Sequence, residues 1–389
     1  MEKIAINPQR LKWCCETLGI TVSSLFQDVK ISEATLNKAF EHQAVLSINQ
    51  LEKIADYFNQ SLLFFIEKTE ATAENIYSPA FRTINNQQPI ESRKLRKFIA
   101  NVEKQRKIYL NLLDDLQTPV IVDWQTPLDL STKHLKPASN AVRQWLNIQV
   151  NDDFEALRES VENKGIMVIV SNGYNGPWQI DKSDPTRGFC LYYDTLPIIA
   201  IKKQQSKGAM AFTLMHELAH LLLHKTSMLD NQADFYSYQG REQEANIFAS
   251  NLLLPDELLD RLDVSELRSL TYEDYDDFFQ DLKKECCVSG DAILYRLCTE
   301  NKITLLEYQQ YRNFKDQQRK QEQAREKELR QTSIPRKYRH REPVNMFGRR
   351  YVNTVLNAKN NEHITLSKAS TYLDNLKIHT LHKLERDFV

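Results

Sequence analysis

The chain has 389 residues, with 51 basic against 52 acidic side chains and a formal net charge of −1. Such a balance creates no whole-molecule field that would demand nucleic acid, a membrane surface or an acidic substrate, so any such partner must be met by a local patch. The length exceeds one ordinary core and predicts two or three domains, while the lack of any long apolar run excludes a spanning helix.

Nine glycines and long stretches rich in Leu, Glu, Lys, Gln and Ala predict mostly helix. The cysteines Cys14, Cys15, Cys190, Cys286, Cys287 and Cys298 include no C-x-x-C and no secreted-type framework, so free thiols in a reducing compartment are expected. Residues 1–10 carry no apolar leader, and the expected location is cytoplasmic.

Residues 1–68 read as a small helical bundle. Pro8 opens a helix, Thr21 and Ser32 cap the next two, and Ser47 or Asn49 starts a fourth. Leu11, Leu25, Ile31, Leu36, Leu51, Ile54, Ala55 and Phe58 fall at spacings that would fill its core. The arrangement resembles the Cro/repressor helix-turn-helix family, with residues 21–29 as the first motif helix and 32–40 as the recognition helix. The resemblance implies duplex DNA as a partner and Ser32, Thr35 and Lys38 as the side chains that face it. Phe26 and Lys30 stand where that family usually has a small residue and a turn glycine. Over residues 1–66 six basic side chains meet seven acidic ones, a poor balance for counterion release.

Residues 69–118 read as a polar linker followed by one long, locally basic helix over 91–116, whose charges are expected to form a solvated face. Within 119–310, helices are expected around 140–146 and 153–163. The β-branched and aromatic runs 165–170, 188–193 and 196–201 follow as a small sheet. One of the last two runs, Pro197–Ile201 or Gly188–Tyr193, is expected to be the edge strand that holds an extended substrate by main-chain pairing.

The chemistry concentrates directly after the sheet, in His216-Glu217-Leu218-Ala219-His220. On a helix the two histidines lie one turn apart and about 40° from each other, so both imidazoles can reach one ion. Glu217 swings beside that ion, where its carboxylate can take a proton from water. A third protein ligand is expected from the helix that ends at Pro255. Glu242 and Glu244 are about 200° apart on it and cannot both face the ion. Ala245, Asn246 and Ala249 share the face of Glu242, which favours Glu242 as ligand and Asn246 as a partner that orients a ligand histidine. Glu244 stays open as the alternative ligand, otherwise a solvent or salt-bridge residue. His224, two turns from His216, either lines the cleft or packs.

His216-Glu217-x-x-His220, then Glu242-x-x-Ala245-Asn246-x-Phe248-Ala249-x-x-Leu252-Leu253-Leu254-Pro255, resembles the ImmA/IrrE zinc metallopeptidases over roughly residues 160–300. The resemblance implies a gluzincin-type site in which His216, His220 and Glu242 hold Zn2+ and Glu217 is general base and later acid. It also implies a regulatory protease that cleaves a protein partner such as a transcriptional repressor or a toxin. The alternative is a DNA- and protein-binding regulator or antitoxin whose metal site performs no proteolysis.

Residues 288–303 resemble the helical segment that closes the peptidase domain in that family, with Tyr295 or Arg296 able to reach the cleft. Residues 312–341 carry eleven basic and four acidic side chains, the strongest patch in the chain, within a basic connector over 311–343. A helical unit over 344–389, with helices at 350–358, 367–373 and 380–386, suits partner recognition or dimerisation. The expected fold class is mainly α with a small β-sheet (α+β).

Overall fold

The computed structural model describes residues 3–18, 20–58, 60, 62–69, 92–120, 124, 130, 134–174, 176–204, 206–231, 239–329 and 338–388. They fall into two compact units, Met1–Lys104 with Tyr174–Asp184 and Gln105–Gly173 with Pro185–Val389. Among the described residues no helix is long and apolar enough to cross a membrane, and none of the six cysteines is paired.

The first unit is built from α1 (Pro8–Leu18), α2 (Val22–Val29), α3 (Glu33–Phe40), α4 (Ile48–Phe58) and α5 (Leu62–Ile66). The caps read from the sequence are in place: the Thr21 hydroxyl accepts from the Ser24 amide and the Ser32 hydroxyl from the Thr35 amide, which satisfies amides that a helix start leaves unpaired. All eight residues expected in its core are buried. Lys30 takes the left-handed conformation (φ 55°) between α2 and α3, at a cost of about 1 kcal/mol where glycine would be free of strain.

The long basic helix forms as α6 (Arg93–Asp115), but its charges are only partly a solvated face. Lys94 pairs with Asp181 at 2.6 Å and the Lys97 ammonium lies over the Tyr57 ring. In the second unit Arg106 donates to the Leu196 and Thr195 carbonyls and covers the Tyr193 ring.

The second unit begins with α7 (Leu135–Leu146) and α8 (Phe154–Glu162), the latter capped by the Asp153 carboxylate. The sheet comprises β1 (Met167–Val170), β2 (Thr186–Leu191), β3 (Ile198–Ile201) and β4 (Met228–Asn231), in the order β1-β3-β2-β4. β1 and β3 are parallel; β2 runs antiparallel to both its neighbours. The expected edge strands are therefore interior: 198–201 lies between β1 and β2, and 186–191 lies between β3 and β4. The reason is β4 itself, whose Met-Leu-Asp-Asn carries no β-branched residue and no alternation, so sequence pattern does not mark it as a strand.

On this sheet sits α9 (Lys207–Ala219), continued by a π-helical turn over His220–His224, and beside it α10 (Gly240–Leu253). Both are buried on most sides, which is why neither shows a clear amphipathic stripe in the sequence. The short helices α11 (Asp256–Leu259), α12 (Val264–Ser269), α13 (Tyr275–Phe278) and α14 (Gln280–Glu285) lead to α15 (Gly290–Thr299) and α16 (Leu305–Leu329). Residues 330–337 of the basic connector lie outside the described residues.

The last helices, α17 (Glu342–Asn360), α18 (Leu366–Tyr372) and α19 (Ile378–Phe388), overlap the three stretches read as helical from sequence, with Leu373 falling at the cap of α18. α17 bends at Gly348 (φ 81°, ψ 160°), where an added Cβ would run into the Glu162 carboxylate. Arg158, almost fully buried, pairs with Glu162 at 2.8 Å and donates to the carbonyls of Val168, Val344, Asn345 and Met346. An arginine with five donors is the side chain able to collect so many acceptors in the interior.

Candidate metal centre

α9 places His216 and His220 one turn apart, and their Nε2 atoms stand 3.1 Å from each other. β4 brings Asp230 to the same point from the sheet, its Oδ2 at 3.1 Å from His216 Nε2 and 3.3 Å from His220 Nε2. α10 adds Glu242 from the other side, its Oε2 at 3.3 and 3.6 Å from the same two nitrogens. These four atoms all lie within 4.8 Å of one another, a group that could hold a metal ion.

The spacing tests the fit. Metal arms of 2.0–2.1 Å in a tetrahedron separate neighbouring ligand atoms by about 3.3 Å; five of the six separations among these atoms run from 3.1 to 3.6 Å, and the sixth, between the Asp230 and Glu242 oxygens, is within 4.8 Å. Charge points the same way. His216, Glu217, His220 and Asp230 are fully buried and Glu242 is largely so, and three carboxyls around two imidazoles make a poor interior without a cation.

The protonation tendencies express that conflict. Burial, then the Asp230 and Glu242 carboxylates, lift the Glu217 carboxyl well above the ordinary range. Burial disfavours charged imidazoles, yet Asp230 and Glu242 outweigh it, raising His216 and taking His220 up to about 9. Asp230 and Glu242 are held low by the same rings against the opposing effect of burial. A divalent cation would relieve each of these tensions by replacing protons.

Behind His220 the π turn performs a separate task. It presents the His224 ring so that His224 Nδ1 meets His220 Nδ1 at 2.8 Å, while His224 Nε2 meets Glu244 Oε2 at 3.1 Å. If His220 offers its Nε2 lone pair to a metal, its Nδ1 carries the proton and donates to His224, which in turn donates to Glu244. Glu244 thus accepts from the His224 ring behind the centre, while Glu242 faces the histidine pair. Asn246 is fully buried one turn along from Glu242; the ring set against His220 is His224.

Glu217 lies against β2. Gly188 makes room for it: a Cβ there would stand 2.5 Å from Glu217 Oε1 and 2.7 Å from Thr213 Cγ2. One turn upstream of His216, Phe212 and Thr213 border a cavity of about 290 Å³, also lined by Arg187, Tyr295 and Tyr308. Arg296 is fully buried in ion pairs with Asp256 and Glu300, so it is a packing element and Tyr295 the one that borders the cavity. Ser32, Thr35 and Lys38 lie in the other unit. Ser32 and Thr35 share a hydroxyl contact of 2.8 Å at the start of α3, and Lys38 is exposed in its last turn.

Asp230 is the member of the group that sequence reading missed. Its single local signal is an acidic residue ten positions past His220, and nothing in the four-residue strand announces it.

Two histidines one turn apart on a helix, an intervening glutamate and a carboxylate from a second helix, all laid on a small mixed sheet, define a metallopeptidase-like domain. Residues 162–298 match the family model described as Peptidase_M78, IrrE N-terminal-like domain, in agreement with the span of the resemblance read from the motifs. No curated protein and no solved structure matches the chain.

Proposed function

We propose that this chain is a zinc-dependent endopeptidase that acts on a partner protein, such as a transcriptional repressor or a toxin, in the cytoplasm. The observation that carries the reading is the convergence of His216, His220 and Glu242 from two helices with Glu217 beside them. Zinc held by those three residues would supply Lewis acidity and bring water toward ionisation near neutral pH.

The chain's own groups do the rest. Glu217, between the two histidines in sequence and walled by Gly188, takes the proton of the attacking water and passes it to the nitrogen of the departing peptide. His224 and Glu244 keep the His220 ring in one tautomer and orientation. The cavity beside Phe212 and Thr213, one helical turn from His216, has room for a substrate side chain.

The test is a comparison of the zinc-loaded chain with its Glu217→Gln variant on a proteome-derived peptide library read by mass spectrometry. The wild type should generate new termini and the variant, with its metal retained, should not. Equal product patterns from both would remove the proteolytic reading. A second reading, a DNA- and protein-binding regulator with a non-proteolytic metal site, is favoured by one observation: a fourth side chain, Asp230, also points at the centre. Gel shift of the intact chain on the DNA upstream of its own gene, with Lys38→Ala as the control, tests the DNA-binding part of it.

A further inference from the structure

We infer that Asp230 is a fourth protein ligand, so that the centre shown here is closed, and that exposing a coordination position requires the edge strand β4 to withdraw. The inference rests on the reading of His216, His220 and Glu242 as metal ligands and adds the state of that site. Hydrolytic zinc sites keep one position for water, whereas sites with four protein ligands are structural. Here Asp230 Oδ2 lies nearer the two imidazole nitrogens, at 3.1 and 3.3 Å, than Glu242 Oε2 does at 3.3 and 3.6 Å. Its carboxylate approaches the histidine pair at least as closely as that of the expected third ligand.

The strand pairing explains how it gets there. Asp230 is registered opposite Gly188, the β2 residue whose missing side chain leaves room for Glu217. The aspartate is thereby delivered to the ground between the histidines and Glu217, where a water molecule approaching the general base would stand. Both Glu217 oxygens and both Asp230 oxygens are out of contact with solvent, so this ground is sealed. β4 is only four residues long, at the edge of the sheet, and it pairs on one side alone, with β2. Of the elements that carry the four groups it has the least to lose by detaching.

Cobalt substitution reads the coordination shell directly. The full-length chain is loaded with Co2+ and titrated with azide while the visible bands are followed; Asp230→Ala and the near-isosteric Asp230→Asn are treated alike, with zinc content and circular dichroism recorded for each. Wild type should bind one equivalent of metal and its bands should not move with azide. Both variants should still bind metal, lose it faster to a chelator, and show bands that shift with azide. Bands that move with azide in the wild type as much as in the variants would overturn the closed site while leaving the three-ligand reading intact. Wild type that binds no metal would overturn both. Misfolding of either variant leaves the wild-type azide titration to decide.

Discussion

Glu162 offers the most quantitative test of the energetics. Its carboxylate is buried between Arg158 and the bend of α17 at Gly348, and burial outweighs the Arg158 guanidinium, moving its pKa from 4.5 to about 7. A carboxyl whose folded-state value is raised holds its proton in the native chain after the unfolded chain has released it. Stability is then full below about pH 4.5, falls as pH rises, and levels off above about pH 7. The slope is ~1.4 kcal/mol per pH unit and the total ~3 kcal/mol. Glu162→Gln keeps an acceptor for Arg158 but has nothing to titrate. Urea unfolding of both chains followed by circular dichroism, at intervals from about pH 5 to about pH 8, should show the wild type losing ~2–3 kcal/mol relative to the variant. A difference between the two chains that stays constant over that range would refute the argument.

Other outcomes follow from the centre and its supports. Gly188→Ala puts a Cβ 2.5 Å from Glu217 Oε1 and 3.1 Å from the Ala200 carbonyl; it should cost ~1–3 kcal/mol by overpacking and lower hydrolysis by shifting Glu217, and a variant with unchanged melting temperature and activity would contradict the packing described. His224→Ala removes the ring behind His220 and should weaken metal binding roughly 10–100-fold in chelator competition, with Glu244→Gln doing less; undiminished affinity would dismiss the relay. Stripping the metal with a chelator should lower the melting temperature, since an ion present at about a thousand times its dissociation constant adds ~4 kcal/mol; an unchanged melting curve would mean that the four buried groups are stable without a cation.

The parts of the site that sequence reveals are those set by helix periodicity. His216, Glu217 and His220 are fixed relative to one another by a single helix; on α10 the separation of about 200° allows only one of two glutamates to face them, and the face shared with Ala245, Asn246 and Ala249 favours Glu242, the one found beside the histidine pair. Asp230 escapes because its position depends on a sheet register, and the register depends on a strand whose residues have no strand preference. The same omission produced the wrong edge: without β4, the strand at 186–191 has a free side. His224 could be placed near the centre by periodicity, but its contact with His220 comes from the wider π turn, which sequence does not announce. The caps and core of the first unit were readable because both are local rules. In the charged helices the reading was coarser, for Arg106 and Lys315 are bound to carbonyls and to Asp276, although pattern alone leaves them in solvent.

Arg158 sets the smallest piece of chain that can stand by itself. The segment similar to other proteins, 162–298, begins four residues after this arginine and ends well before the three carbonyls of α17 on which it depends. A fragment trimmed to start just before Arg158 but to stop at residue 298 would keep Glu162 and the Val168 carbonyl, strip Arg158 of its three acceptors in α17, and uncover the face of β1 on which α17 packs. Boundaries of likeness and boundaries of foldability therefore do not coincide here. A shortened version intended for expression has to retain the chain through α17, while a truncation found in nature that ends near residue 300 would yield a protein prone to degradation.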